Sequence, residues 1–213
     1  MILAVIFRDS RVLIRMRELV RMGVLWIGAA GMSWSAQKTL TIALYNYAAL
    51  PEEVLAPAMK VAGQVMNGVG IRPEWSFCPT GDDVRETCTR RLTVGGHYVV
   101  MNIMPARRDA GDDIAGYAIF DSASVHGARA FAFWDKIQAL ARQSQRHASL
   151  LLACVVVHEI AHTLGLRHTD RGVMHRSLDL QDLEDAAHGL AFSGTEARQL
   201  KQAVAFLNGE AVK

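Results

Sequence analysis

Apolar and polar positions change period several times along this chain, and each change marks an element. Thr39–Tyr47 (TLTIALYNY) alternates loosely and is rich in β-branched and aromatic residues, which predicts a strand. Pro51-Glu52-Glu53 then opens a helix, with proline in the first turn and two acids at the positive end of the dipole. Val54, Leu55, Ala58, Val61, Ala62, Val65 and Met66 recur at helical spacing until Gly68 and Gly70 stop them. Ile71–Phe77, Tyr98–Met104, Gly116–Phe120 and Ala128–Trp134 read as four further strands. Cys78–Gly96 is a polar, turn-rich loop, and Arg107–Asp113 is a charged one expected to be mobile. A polar helix is predicted over about Lys136–Gln145. The next, Leu150–Leu164 with Ser149 as N-cap, is apolar nearly all round in its first half. Ser193-Gly194-Thr195-Glu196 fits a capping box, and Ala197, Leu200, Val204 and Leu207 follow as one face of a closing amphipathic helix. The order is β-α-β-β-β-β-α-α-loop-α, with no repeat and no inter-domain linker.

The hydrophobic content of 51% is high for a globular chain, and part of the excess is local. Gly23–Met32 is an uncharged run of ten, preceded by Arg8, Arg11, Arg15, Arg17 and Arg21 and followed by Ser33-Trp34-Ser35-Ala36. A basic segment, a short apolar one and alternating small residues make a secretory signal, expected over residues 1–35 with cleavage after Ser35. Ten residues are too few to span a bilayer as a helix, so no stable membrane span is expected. The basic segment is long from Met1, and Met16 offers a shorter start. An uncleaved signal-anchor is the alternative. Residues 36–213 are then expected to form one domain. The removed segment carries five Arg against Asp9 and Glu18, so the net charge of +2 becomes −1. That balance gives no electrostatic case for nucleic acid.

Export to an oxidising compartment, secreted or periplasmic, permits disulfides. Cys78 and Cys88 flank the polar stretch Pro79–Thr87 and can bridge it; two free thiols or a second metal site are the alternatives. Cys154 lies in the apolar run Leu150–Val157 and reads as a buried free thiol.

The chemistry concentrates in His158-Glu159-Ile160-Ala161-His162-Thr163-Leu164-Gly165-Leu166-Arg167-His168. His158 and His162 are four apart, hence one turn apart on one helix face, where two imidazoles can reach a single Zn²⁺. Glu159 is placed to act on water beside the metal without binding it. Gly165 can take the left-handed conformation that ends a helix, so that the returning chain presents His168 as third ligand. The competing reading is three surface histidines at the end of a core helix.

At this point the chain resembles the metzincins, zinc endopeptidases with H-E-x-x-H-x-x-G-x-x-H and a downstream Met-turn. HEIAHTLGLRHTD is most similar to the matrixin branch, and Tyr45-Asn46-Tyr47-Ala48 with Gly172-Val173-Met174 resembles a group of small exported bacterial predicted zinc proteases. The motif covers about a tenth of the chain. The resemblance implies an α+β, zincin-like fold: a twisted mixed sheet of four or five strands, an active-site helix and a backing helix, a Met-turn and a C-terminal helix. It implies that Met174 is the Met-turn methionine, where a generic buried Met is the alternative. It also implies that an antiparallel edge strand, matched by position to Gly116, Tyr117, Ala118, Ile119 and Phe120, binds substrate in extended form; an ordinary edge strand is the alternative. His175-Arg176-Ser177 follows Met174, so the Tyr that supplies an extra ligand in some branches is absent. Asp170 is only a reserve ligand or an acceptor for a ligand's ring N–H. His97, His126, His147, His175 and His188 have no ligand spacing.

The expected function is secreted, zinc-dependent endopeptidase activity on peptide or protein substrates. One Zn²⁺ is held by His158, His162 and His168, water is activated at the zinc, and Glu159 is the general base. The chain is expected to be a monomer. The rivals are a non-catalytic zinc-binding module on the same scaffold and a hydrolase of non-peptide amides.

Overall fold

Four elements bring the helix bearing the motif against a sheet, and the burial of each strand explains its sequence pattern. The computed structural model describes residues 37–81, 88, 98–106, 114–119, 128–144, 147–176 and 191–210. The signal expected over residues 1–35, Ala36, the loop Arg107–Asp113, Phe120, His97, His126 and His188 lie outside the described residues.

The described strands are β1 (Lys38–Asn46), β2 (Ile71–Cys78), β3 (Tyr98–Met104), β4 (Gly116–Ile119) and β5 (Arg129–Phe133). They form one sheet in the order β2-β1-β3-β5-β4. β1 pairs in parallel with β2 and β3, β3 pairs in parallel with β5, and β4 runs antiparallel to β5 at the edge. β1 and β3 are central and covered on both faces, so Ala43, Leu44, Tyr45, Val99, Val100 and Met101 are all buried. That is why their apolar runs alternate so loosely.

The helices are α1 (Glu52–Gly68), α2 (Trp134–Ser144), α3 (Ala148–Thr163) and α4 (Gly194–Leu207). α3 packs against α1, α2, β5 and β4. Leu55, Ala58, Ala62 and Met66 of α1 and Leu151, Val156 and Ile160 of α3 join Leu40, Ile42 and Met101 of the sheet in the main core. Ala43, Tyr45, Tyr98, Val100 and Cys78 form a smaller cluster. No described helix is long and apolar enough to cross a membrane.

Three boundaries differ from the sequence expectation, each for a local reason. Trp134 starts α2 and does not end β5, because Phe133 N–H bonds the Ala115 carbonyl and Asp135 N–H the Pro105 carbonyl, turning the chain without a loop. An aromatic run gives no letter for such a junction. Pro51 is the N-cap of α1, one position before the first helical residue. Ser149 is not the cap of α3: the His147 carbonyl accepts from Leu150 and Leu151 N–H, so the helix begins at Ala148 with His147 as an N-cap that makes no side-chain cap bond. At the C-terminus the capping box forms as expected. Ser193 Oγ accepts from Glu196 N–H, and the Glu196 carboxylate accepts from Ser193 N–H at 2.6 Å.

Cys78 and Cys88 are joined as a disulfide, with Cα atoms 5.8 Å apart. Cys154 is a buried free thiol. Burial pushes it up to about 12, so it behaves as a small apolar group and not as a nucleophile.

Candidate metal centre

α3 enters the protein as a helix buried on every side, from Leu151 through Val157, and emerges at the site with His158 and Glu159 still buried. A helix apolar all round cannot lie on the surface. Its polar C-terminal turn is thereby delivered to the floor of a cleft.

The helix ends in a Schellman motif. Gly165 is left-handed at φ +86, Leu166 N–H bonds the Ala161 carbonyl at 3.1 Å, and Gly165 N–H bonds the His162 carbonyl at 3.0 Å. Buried Leu166 supplies the apolar contact that usually accompanies this cap. The reversal returns His168 to the face that carries His158 and His162.

The three Nε2 atoms converge. His162 and His158 are 2.9 Å apart, His162 and His168 3.1 Å, and His158 and His168 3.2 Å. These contacts are not a hydrogen-bonded ring. His158 Nδ1 is 2.7 Å from the Val173 carbonyl, and His162 Nδ1 is 2.8 Å from the Leu166 carbonyl. A carbonyl only accepts, so each Nδ1 carries the proton and each of these Nε2 atoms presents a lone pair. Lone pairs this close repel unless a cation lies between them. Three nitrogens bound at 2.0–2.1 Å to a tetrahedral zinc would be roughly 3.3 Å apart, near the separations found here. The donor set therefore fits one zinc ion, and His158, His162 and His168 would hold it. Burial, the largest cause, lowers His158 to about 4, and burial followed by neighbouring positive charge lowers His168. Both shifts favour the neutral form that a metal ligand must have.

The carbonyl that orients His158 belongs to the second turn after the motif. Gly172 is left-handed at φ +77, and His175 N–H closes the turn on the Gly172 carbonyl at 3.1 Å. Thr169 N–H bonds the Met174 carbonyl, and Met174 is wholly buried within this turn. Thr169 Oγ1 also lies 3.1 Å from Glu196 Oε1. The Glu196 carboxylate thus both caps α4 and tethers the residue next to His168. Asp170 is exposed and is not among the groups whose donor atoms converge.

Glu159 is buried on the same turn. Among the described residues its Oε2 has no hydrogen-bond partner, and burial pushes its carboxyl up to about 8. The Glu159 side chain rests against β4 at Gly116. A Cβ built there would meet Phe131 O at 2.7 Å, and Glu159 Cγ and Oε1 at 2.8 Å each. Gly116→Ala is therefore expected to displace the carboxylate. Overpacking of this kind costs about 1–3 kcal/mol. Zinc content should stay at one per chain while Tm falls by several degrees; an unchanged Tm would show that the close approach does not crowd Glu159.

Two hollows meet at this centre. One, of 530 Å³, has Ile114, Ala115, Leu140 and Val155 in its wall together with His175 and Arg176. The other, of 380 Å³, extends past Ala118 and His162. They share Gly116, Tyr117, Glu159 and His168, so together they form a cleft along β4 that passes over the motif. Tyr117 is braced by ring stacking on Phe131 at 4.6 Å and on Phe133 at 5.7 Å. His147, by contrast, lies exposed at the start of α3.

Several of these parts left no mark in the sequence. The acceptors that set the histidine tautomers are backbone carbonyls, and no residue letter encodes them. Gly116 reads as part of the substrate-binding edge strand, but its contact with Glu159, 43 positions away, carries no signal in the sequence. His175 lacks ligand spacing, yet it lines the cleft. The capping box was visible, but the second contact of Glu196 was not.

No family model matches the chain, and no curated protein matches it. Two solved structures do. Archaemetzincin from Methanopyrus kandleri is 14% identical with a TM-score of 0.50, over 78% of this chain and 96% of that one. A zinc-dependent peptidase from Methanocorpusculum labreanum (strain Z) is 17% identical with a TM-score of 0.52, over 75% and 99%. Identity this low carries the fold. The mixed five-stranded sheet, the buried helix ending at its histidines and the edge strand β4 give this chain a zincin-like α+β fold, with a three-histidine centre suited to zinc.

Proposed function

We propose that this protein is a zinc-dependent endopeptidase of the metzincin type, matrixin-like in its motif. In this reading it is exported after removal of residues 1–35, with residues 36–213 as one catalytic domain. The observation that carries the reading is the pairing of three converging Nε2 atoms with a buried carboxylate oxygen that has no partner among the described residues, on the same helical turn. A zinc ion held there supplies Lewis acidity, polarising a carbonyl and lowering the pKa of water toward about 7.

The chain's own groups do the rest. Val173 and Leu166 carbonyls hold the rings of His158 and His162 in the ligating tautomer. Glu159 Oε2 accepts a proton from the attacking water and returns it to the departing amine nitrogen. Its burial raises proton affinity, while a nearby dication would draw it back toward the ionised form a base requires. β4, the edge strand of the described sheet, would take an extended substrate whose backbone groups pair with it as a further strand. Gly116, Tyr117, Ala118 and Ile119 form that edge. Met174, buried in the turn that orients His158, would take the role of the Met-turn residue.

A non-catalytic zinc module accounts less well for the site. Structural zinc sites are closed by four protein ligands, and among the described residues three converge. It would also leave Glu159 buried without a partner to no purpose, at a cost of about 1–3 kcal/mol. Digestion of a broad peptide library by the zinc-loaded protein tests the choice. Internal cleavage that stops with a chelator and returns with zinc is expected. One bound zinc with no cleavage would favour the non-catalytic module, and cleavage only of non-peptide amides would change the substrate class.

A further inference from the structure

The larger hollow is built from two chemistries. Leu140 and Val155 give it an apolar floor, and Ile114 and Ala115 continue that surface toward β4. His175 and Arg176 line the same hollow. The sole acidic residue in its described lining is Glu159, which is buried at the reacting centre. Among the described residues the ion pairs are Lys38–Glu210 and Arg72–Glu74, and neither involves Arg176. Arg176 is exposed and lines this hollow.

Its position is not that of a loosely hung surface arginine. Arg176 directly follows His175, which bridges to Thr169 and closes the turn on Gly172. The same turn gives the Val173 carbonyl to His158. Arg176 therefore follows directly on the turn that orients His158. A guanidinium presents paired N–H donors that match a carboxylate and cannot lose its charge near neutral pH. A volume of 530 Å³ leaves room for an apolar side chain on the floor and an anionic group at the wall together.

The geometry points to Arg176 as the specificity-determining residue of this cleft, selecting peptides that carry a carboxylate next to an apolar residue close to the scissile bond. The inference rests on the peptidase reading for its substrate class. The carboxylate can belong to an Asp or Glu side chain or to the end of the substrate chain; both present the same group to the guanidinium.

Binding and cleavage are measured separately. Full-length Glu159→Gln protein, loaded with zinc, is titrated with labelled peptides that differ only in Asp or Asn beside the apolar residue. A second pair ends there as free acid or amide. A charge-assisted hydrogen bond of this kind corresponds to about a tenfold difference in Kd. Tighter binding of at least one acidic member is expected, and the pair that discriminates names the source of the carboxylate. Adding Arg176→Gln should erase the difference, and Arg176→Glu should reverse it toward a Lys peptide, with one zinc per chain in every variant. Equal affinity within both pairs, or discrimination that survives Arg176→Glu, overturns the assignment. Discrimination in binding without cleavage by the wild-type protein supports Arg176 and sinks the peptidase reading instead.

Discussion

Glu159→Ala is expected to leave one zinc per chain and to lower peptide turnover by on the order of 10²- to 10⁴-fold, the range contributed by a positioned general base. Glu159 supplies none of the converging donor atoms, so zinc content should not follow activity. Its Oε2 lacks a hydrogen-bond partner, and the side chain presses on Gly116, so the truncated site loses a carboxylate without breaking any bond to Oε2. Removing a buried group that is costly to desolvate should leave thermal stability equal or slightly raised. The measurement is zinc by elemental analysis beside kcat and KM for one cleaved peptide. A variant that turns over as fast as wild type would remove Glu159 from the chemistry, and parallel loss of zinc would make it part of the metal site.

His162→Ala is expected to act in the opposite sense, through the metal first. His162 Nε2 lies within 3.1 Å of both other donors, and its Nδ1 is tied to the Leu166 carbonyl in the cap that turns the chain toward His168. Its loss removes a ligand and loosens the path to another. Zinc should fall well below one per chain and turnover to background. A ligand at 100 times its Kd stabilises the folded state by about 2.7 kcal/mol, so the zinc-dependent part of stability should go too. For a domain of this size that is a fall in Tm of about 5–10 °C. A chelator should lower the wild-type Tm by a similar amount and leave that of His162→Ala unchanged. One zinc retained per chain, or equal chelator shifts in both proteins, would refute the ligand set.

Much of the fold was legible because its signals are local. The helical spacing in α1, the Ser193 capping box and the β-branched runs of β1 and β3 need only neighbours within one turn or one strand. Boundaries were less legible, since the β5–α2 junction at Trp134 is set by Ala115 and Pro105 carbonyls from another part of the chain.

The sequence by itself determined the chemistry that helix geometry alone can enforce. The spacing of His158 and His162 places two imidazoles on one face, Glu159 accompanies them, and Gly165 permits the left-handed residue that the Schellman cap uses. Those relations span at most a few residues and hold wherever the helix forms. Tertiary structure alone decided what the site's atoms face. Val173 and Leu166 carbonyls select the ring tautomers, Gly116 clears the space that Glu159 fills, and Arg176 comes to line one hollow with Leu140 and Val155. Most of these partners come from separate elements, and nearly all act through the backbone, a missing Cβ or packing. No residue letter carries such information until the sheet, α3 and the turn at Gly172 have closed around one another.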